Sequence, residues 1–332
     1  MTIRSIAAFG CCVFCLGCLP PHTAQSGGPD SRRGPHSFVT DDVVRFIRAF
    51  EALPLVADTA GLLDSAYLAR GSPGLRAYAA RYPLNANGLA TAIARYPADY
   101  AGLAGRLRWL EPHLDSLSRV LDRYRELYPA MTDLPVYFVV GEHGGINSGS
   151  EVGPLHTLEN GAATPERRNL SELLAHEVTH IQQFSAVGLP RYRTLYTTRP
   201  SLLGVVVREG IAEFMAELVT GGVTQRRAQE YFTPREDDIW REFRAQVCAT
   251  STGEWAGSRP RDPARPSFLG YALGAGIARS YHSRVGNTAV ALRTLLTSDD
   301  YQTILLESGY IEQRGDNRED VRAALASCRP AE

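Results

Sequence analysis

Between Leu173 and Phe184 the chain reads Leu-Leu-Ala-His-Glu-Val-Thr-His-Ile-Gln-Gln-Phe. Apolar residues recur through it at helical spacing, so a helix is the backbone this stretch selects. On such a helix Glu177 lies about 100° round from His176 and His180 about 40°, so all three share one face. Two imidazoles one turn apart can grip a single metal ion. A carboxylate beside them can take a proton from water. Three polar residues on an ordinary helix would give the same string. What separates the two readings is whether the chain also supplies a third ligand.

The candidate for that ligand is Arg208-Glu-Gly-Ile-Ala-Glu-Phe214. Glu209 and Glu213 are one turn apart and share a face of a second helix. Val205, Val206, Val207, Ile211 and Phe214 make this helix strongly apolar, and a glutamate embedded in such surroundings needs a partner. Glu209 is therefore expected as the third metal ligand, beside His176 and His180. Glu213 is expected to accept a hydrogen bond from one of the ligating histidines. Gly210 and Ala212 are small and are expected to let the second helix approach the first closely. The plainer alternative is a solvated acidic stripe continued by Glu217. His143 and His156, on strand or loop, read as surface histidines. Gln182 and Gln183 suggest no chemistry.

Around these motifs the pattern is mostly helical. From Ser37 to about Tyr128 apolar residues recur at helical spacing. Helices are expected from Thr40-Asp41-Asp42 through Phe50, over Leu62–Arg70, Gly74–Arg81 and Leu89–Arg95, and over Tyr100–Leu127 with a break at Pro112. Leu134 to Val140 is β-branched and aromatic and reads as a strand. A second strand is expected through Leu155–Leu158, with a sheet edge near Gly144–Ser150 that an extended peptide could join. Asn169 is expected to cap the His176 helix. A linker through Pro190 and Pro200 then leads to a helix over Leu203–Val219, and the remainder is helical apart from a loop at Gly257–Pro266.

The first residues read as an export signal. Arg4 precedes an apolar run from Ser5 to Cys18 that is too short to span a bilayer. Leu16-Gly17-Cys18 resembles a lipoprotein box, which would place a lipid anchor on Cys18; Thr23-Ala24 offers a rival site for ordinary signal cleavage. The expected organisation is a signal peptide over 1–24, a flexible linker over 25–36, an N-terminal helical part over 37–130 and a catalytic part over 131–332, the last two packed as one unit. The expected destination is the periplasm or the outer face of the cell envelope, or the medium. Only Cys248 and Cys328 remain outside the leader, and they either pair as a disulfide or stay separate. The formal net charge of -1 offers no basic patch, so nucleic acid is not expected as a partner.

His176-Glu-x-x-His180 followed by Glu209-Gly-x-Ala-Glu-Phe214 resembles the gluzincin branch of zinc metallopeptidases. More closely, the chain resembles a little-characterised bacterial family of predicted zinc-dependent proteases, related to a gliding-motility lipoprotein. The likeness runs from Asp42-Val-Val-Arg-Phe46 through Ala66–Leu75, Pro135–Val140, His176–Gln183 and Arg208–Phe214 to Gly270-Tyr-Ala-Leu-Gly274. Twenty-eight residues separate His180 from Glu209, a longer spacer than many gluzincins carry. The resemblance implies an α+β, predominantly α, zincin-like fold with a small β-sheet beside the active-site helix. It implies one Zn2+ per chain and a peptide or protein substrate. Glu177 would be the general base. Tyr271, Tyr281, His282 and Arg208 are candidates to stabilise the oxyanion, with Tyr271 favoured because it falls in the last family-like segment. The rival functions are a non-catalytic envelope lipoprotein or interaction module on the same fold, and a hydrolase of non-peptide amides.

Overall fold

The β-branched run after Pro135 forms a strand, β2 (Val136–Val139), buried along its whole length. Continuous burial suits a strand covered on both faces. In the computed structural model, which describes residues 36–145, 147–160, 170–198, 200–257 and 260–328, this strand belongs to a four-stranded sheet. The expected signal peptide, most of the expected linker, Cys18 and Asn169 lie outside the described residues. The sheet order is β1-β2-β4-β3, with β1 at Phe38–Val39, β3 at Asn147–Ser150 and β4 at Gly153–Thr157. β1 and β4 flank β2 in parallel, and β3 closes the edge antiparallel to β4, with Ser148 opposite Leu155.

β1 lies in the stretch read as helical from Ser37 onward. It forms because Val136 N–H donates to Ser37 O and draws the chain alongside β2. His36, the last residue of the expected linker, is buried, with Nδ1 3.1 Å from Asp133 and Nε2 3.1 Å from Asp122. His156 also departs from its expectation. It sits on β4, inside the sheet, 1 % exposed, with Nδ1 2.7 Å from Asn147 Oδ1.

Helices make up most of the rest. Before the sheet come α1 (Asp41–Ala52), α2 (Thr59–Ala66), α3 (Pro73–Arg81), α4 (Ala86–Arg95), α5 (Pro97–Ala101), α6 (Leu103–Leu110) and α7 (Leu114–Leu127). The helical stretch expected over Tyr100–Leu127 breaks at Pro112 as expected and once more at Gly102. Gly102 ends α5, and Pro112 sits in a 3-10 turn between α6 and α7. After the sheet come α8 (Leu170–Val187), the short α9 (Leu189–Arg193) with a π-type turn over Thr194–Thr198, and α10 (Leu202–Thr220). The C-terminal helices are α11 (Arg226–Phe232), α12 (Glu236–Arg244), α13 (Gly253–Ala256), α14 (Leu269–Val285), α15 (Thr288–Thr297), α16 (Tyr301–Glu307), α17 (Tyr310–Gln313) and α18 (Arg318–Ala326).

α10 runs through the middle of this assembly. Ser201 caps its start, Oγ accepting from Gly204 N–H at 3.0 Å, and Gly221 ends it at φ +80, a conformation glycine adopts without strain. Every side chain from Leu202 to Ala216 is buried. Gly210 was expected to bring α10 close to α8, but it faces α14. A Cβ built on Gly210 would stand 2.0 Å from the Gly274 carbonyl carbon, and one on Gly274 would stand 2.0 Å from Val206 O. The small residues therefore join α10 to α14, backbone against backbone.

Helices on both sides of the sheet belong to one unit spanning Gly34–Glu332. The fold is α+β and predominantly α, with the small sheet against α8. Cys248 and Cys328 form a disulfide, Cα–Cα 5.0 Å, that ties the segment after α12 to the end of α18. Among the described residues, no helix is long and apolar enough to cross a membrane.

Candidate metal centre

α8 and α10 pack side by side and bring His176, His180 and Glu209 together as a group that can hold a metal ion. His176 Nε2 and His180 Nε2 are 3.1 Å apart, and Glu209 Oε2 lies 3.4 Å from the first and 3.2 Å from the second. His176 and Glu209 are buried, while His180 keeps 12 % of its side chain exposed.

The outer nitrogens of both rings are tied. His176 Nδ1 donates to Glu213 Oε2 at 3.2 Å, and His180 Nδ1 donates to Gln183 Oε1 at 2.9 Å. A carboxylate and an amide oxygen can only accept, so each Nδ1 is a donor and each Nε2 is the ring nitrogen left facing Glu209. Glu213 is itself held, Oε2 by the Thr224 hydroxyl at 2.6 Å and Oε1 by Gln225 N–H at 2.7 Å. Gln183 Nε2 donates to Arg208 O at 3.1 Å, which ties α8 to α10 one residue from Glu209. Sequence reasoning assigned Gln183 no chemistry. Its spacing of three from His180 was the available signal, because residues three apart on a helix meet. Gln182 ties the other way, accepting from Thr132 N–H at 2.7 Å and so joining α8 to the segment before β2.

Two ring nitrogens facing a buried carboxylate favour a positive charge among them, a proton or a metal ion. Burial alone would lower the His176 pKa, but hydrogen bonds to Glu209 and Glu213 and the charge of Glu177 outweigh it, and the value is raised to about 10. Glu209 shows the reciprocal effect. Burial opposes its charge, but His180, His176 and Arg208 together hold its carboxyl well below the usual range.

Glu177 stands beside this group. Its Oε2 accepts from Gly149 N–H on β3 at 2.7 Å. β3 can come this near because Gly149 has no side chain; a Cβ there would stand 3.0 Å from Glu177 O and 3.2 Å from His180 Cβ. Gly149 O accepts from Arg81 Nη1 on α3 at 3.0 Å. Neither backbone group of Gly149 is thus available to a strand added at this edge unless Glu177 or Arg81 lets go.

The group opens into a cleft of about 540 Å³. α3 and the residue that ends it supply one wall with Ala77, Arg81 and Tyr82, and β3 another; α8, α9 and the turn after it contribute Phe184, Leu189, Tyr192 and Tyr196. Of the four side chains expected to stabilise an oxyanion, Tyr271 lines the cleft, its ring stacked on His176 with centroids 5.7 Å apart. The other three are placed elsewhere. Arg208 is fully buried, Tyr281 is 7 % exposed in the core, and His282 bonds Thr288 and packs on Phe214. Tyr196, in the segment read only as a linker, also lines the cleft. The Glu209 charge and burial push the Tyr196 phenol well above its ordinary pKa, and burial followed by Glu209 does the same to Tyr271. Both hydroxyls stay protonated, and each hydrogen-bonds the Glu209 carboxylate.

No family model, curated protein or solved structure matches the chain.

Proposed function

We propose that the protein is an exported zinc-dependent hydrolase of peptide bonds, a gluzincin-like member of the zincin class. One observation carries the reading. Three ligand atoms about 2.0–2.1 Å from a tetrahedral zinc ion stand about 3.3–3.4 Å apart. The two Nε2 atoms and Glu209 Oε2 are 3.1, 3.2 and 3.4 Å apart, so shifts of a few tenths of an ångström would bring them to that spacing. Both Nδ1 atoms are tied outward, which leaves the two Nε2 atoms to a metal, and a carboxylate outside the ligand set stands next to them. An interaction module would have no use for that last group.

A zinc ion held by His176, His180 and Glu209 would supply Lewis acidity, polarising a carbonyl and lowering the pKa of water towards about 7. Glu177 takes the proton of the attacking water through the oxygen that Gly149 does not hold, and passes it to the leaving amine. The Tyr196 and Tyr271 hydroxyls stand on the cleft wall as donors for the carbonyl oxygen as it gains charge. Glu213 and Gln183 keep the two imidazoles in register. The disulfide supports an oxidising compartment outside the cytoplasm.

The test is hydrolysis of a mixed peptide library by the purified protein. Cleavage that a chelator stops and added zinc restores is the expected result. Cleavage unchanged by the chelator, or none by the zinc-loaded protein, contradicts the reading.

The raised His176 pKa adds a pH signature. Below about 10 the imidazole carries a proton that an incoming metal ion must displace. Apparent zinc affinity is therefore expected to rise with pH, by about tenfold per pH unit while one proton is released per ion bound. The same shift stabilises the metal-free fold; that contribution is complete below the ordinary value of 6.5 and is lost as pH rises through about 10. Chelator competition at several pH values checks the first statement. A pH-independent affinity would contradict it.

A further inference from the structure

Among the described residues, Arg208 is a deeply buried charge without hydrogen-bonded partners for its side chain. It is 0 % exposed, and none of its three guanidinium nitrogens has a hydrogen-bond partner. Buried guanidinium groups are normally satisfied by several acceptors, because an unpaired buried charge is expensive. Arg208 instead stacks on aromatic rings. Its Cζ lies 3.6 Å from the Tyr196 ring centroid and 5.2 Å from that of Tyr192. Its nearest opposite charge is Glu209 Oε1, 3.5 Å from Nη2.

The geometry divides the Glu209 carboxylate in two. Oε2 faces the Nε2 atoms of His176 and His180, while Oε1 is the oxygen on the Arg208 side. Oε1 is buried and makes no close hydrogen bond of its own, and the guanidinium acts on it by charge, beside the Tyr196 and Tyr271 hydroxyls that hydrogen-bond the Glu209 carboxylate. A carboxylate whose second oxygen is drawn to a cation has less electron density to give a metal through that oxygen. The charges also balance: the carboxylates of Glu177, Glu209 and Glu213 carry three negative charges when ionised, and Arg208 with a divalent ion carries three positive. The backbone is tied as well, since Arg208 O accepts from Gln183, the residue that orients His180.

We propose that Arg208 is a positioning residue that confines Glu209 to a single metal-binding oxygen and so keeps a coordination position open for the reacting groups. The proposal rests on the metal-centre reading above. Without the guanidinium, Oε1 is released, the carboxylate grips through both oxygens, and the open position closes. Stacking against Tyr196 is what holds the cation there in place of hydrogen bonds, and lysine cannot reproduce that contact.

The test compares the wild type with Arg208→Met and Arg208→Lys, each loaded with Zn2+ or with Co2+ in its place. Three readings are expected in Arg208→Met. The visible absorption of the Co2+ form loses intensity, as it does when a four-coordinate ion gains a fifth ligand. Zinc affinity is unchanged or tighter, because one positive charge has left the site. The kcat falls by about 10–100-fold with KM little changed. Arg208→Lys, which keeps the charge but not the stack, moves the same way by a smaller amount, and it carries the test alone if Arg208→Met does not fold. A folded variant with the wild-type Co2+ spectrum overturns the proposal. So does weakened zinc binding, which is what a merely structural arginine would produce. If the wild type takes up neither ion, the metal-centre reading falls first and this proposal with it.

Discussion

Glu177→Gln is expected to abolish hydrolysis and leave the metal in place. The amide has the shape of the carboxylate, and its oxygen can still accept from Gly149 N–H, now 2.7 Å from Glu177 Oε2. What it loses is the capacity to take a proton. General-base catalysis is worth about 10²–10⁴ in rate, or roughly 3–5 kcal/mol of barrier. The expected result is a loss of kcat/KM of that size on any peptide the wild type cleaves, with the zinc dissociation constant within a few-fold. Both measurements are needed, because a loss of activity together with zinc would mean only that α8 had been disturbed. An undiminished rate would remove Glu177 from the role assigned to it.

The second large effect is structural and reaches the site through packing. Gly210→Ala places a methyl group 2.0 Å from the Gly274 carbonyl carbon and 2.2 Å from its Cα. These are backbone atoms of a buried helix, so no side chain can swing aside. Either α10 and α14 separate or the new carbon is not accommodated. Overpacking of a core commonly costs about 1–3 kcal/mol, and a clash with backbone on both sides belongs at or above the top of that range. In a chain this size about 3 kcal/mol corresponds to a fall in Tm of roughly 5 °C. Glu209 is the preceding residue on α10, so a shift of that helix also moves the ligand away from α8. Thermal unfolding with and without zinc checks both parts. The variant should melt lower in each case, and zinc should stabilise it less than it stabilises the wild type. A Tm within a degree or two of wild type would show that the two helices have room to move.

The legible part of the site lay within single helices. His176, Glu177 and His180 share a face because four residues make nearly one turn, and Glu209 and Glu213 share one for the same reason. Their burial followed from charged residues set in apolar helices. What could not be read was set by contacts far apart in sequence. Gly210 looked like an aid to the approach of α8, yet it serves α14, and nothing in local spacing says which neighbour a small residue faces. Gly149 comes to Glu177 from a strand 28 residues earlier. Tyr192 and Tyr196 reach the cleft from a stretch whose prolines suggested only a connection. His156 read as a surface residue because histidine usually is one, but β4 lies between β2 and β3 and all its residues are buried. β1, two residues long, carries no periodicity of its own and exists only as a partner of β2.

The central claim is that α8 and α10 together hold one zinc ion, and metal content tests it most directly. The protein from residue 26 onward, purified without a histidine tag and supplied with zinc, should contain close to one zinc per chain by elemental analysis. Glu209→Ala should lose most of it while remaining folded. Zinc absent from the metal-supplied wild type, or retained in full by the variant, would contradict the account.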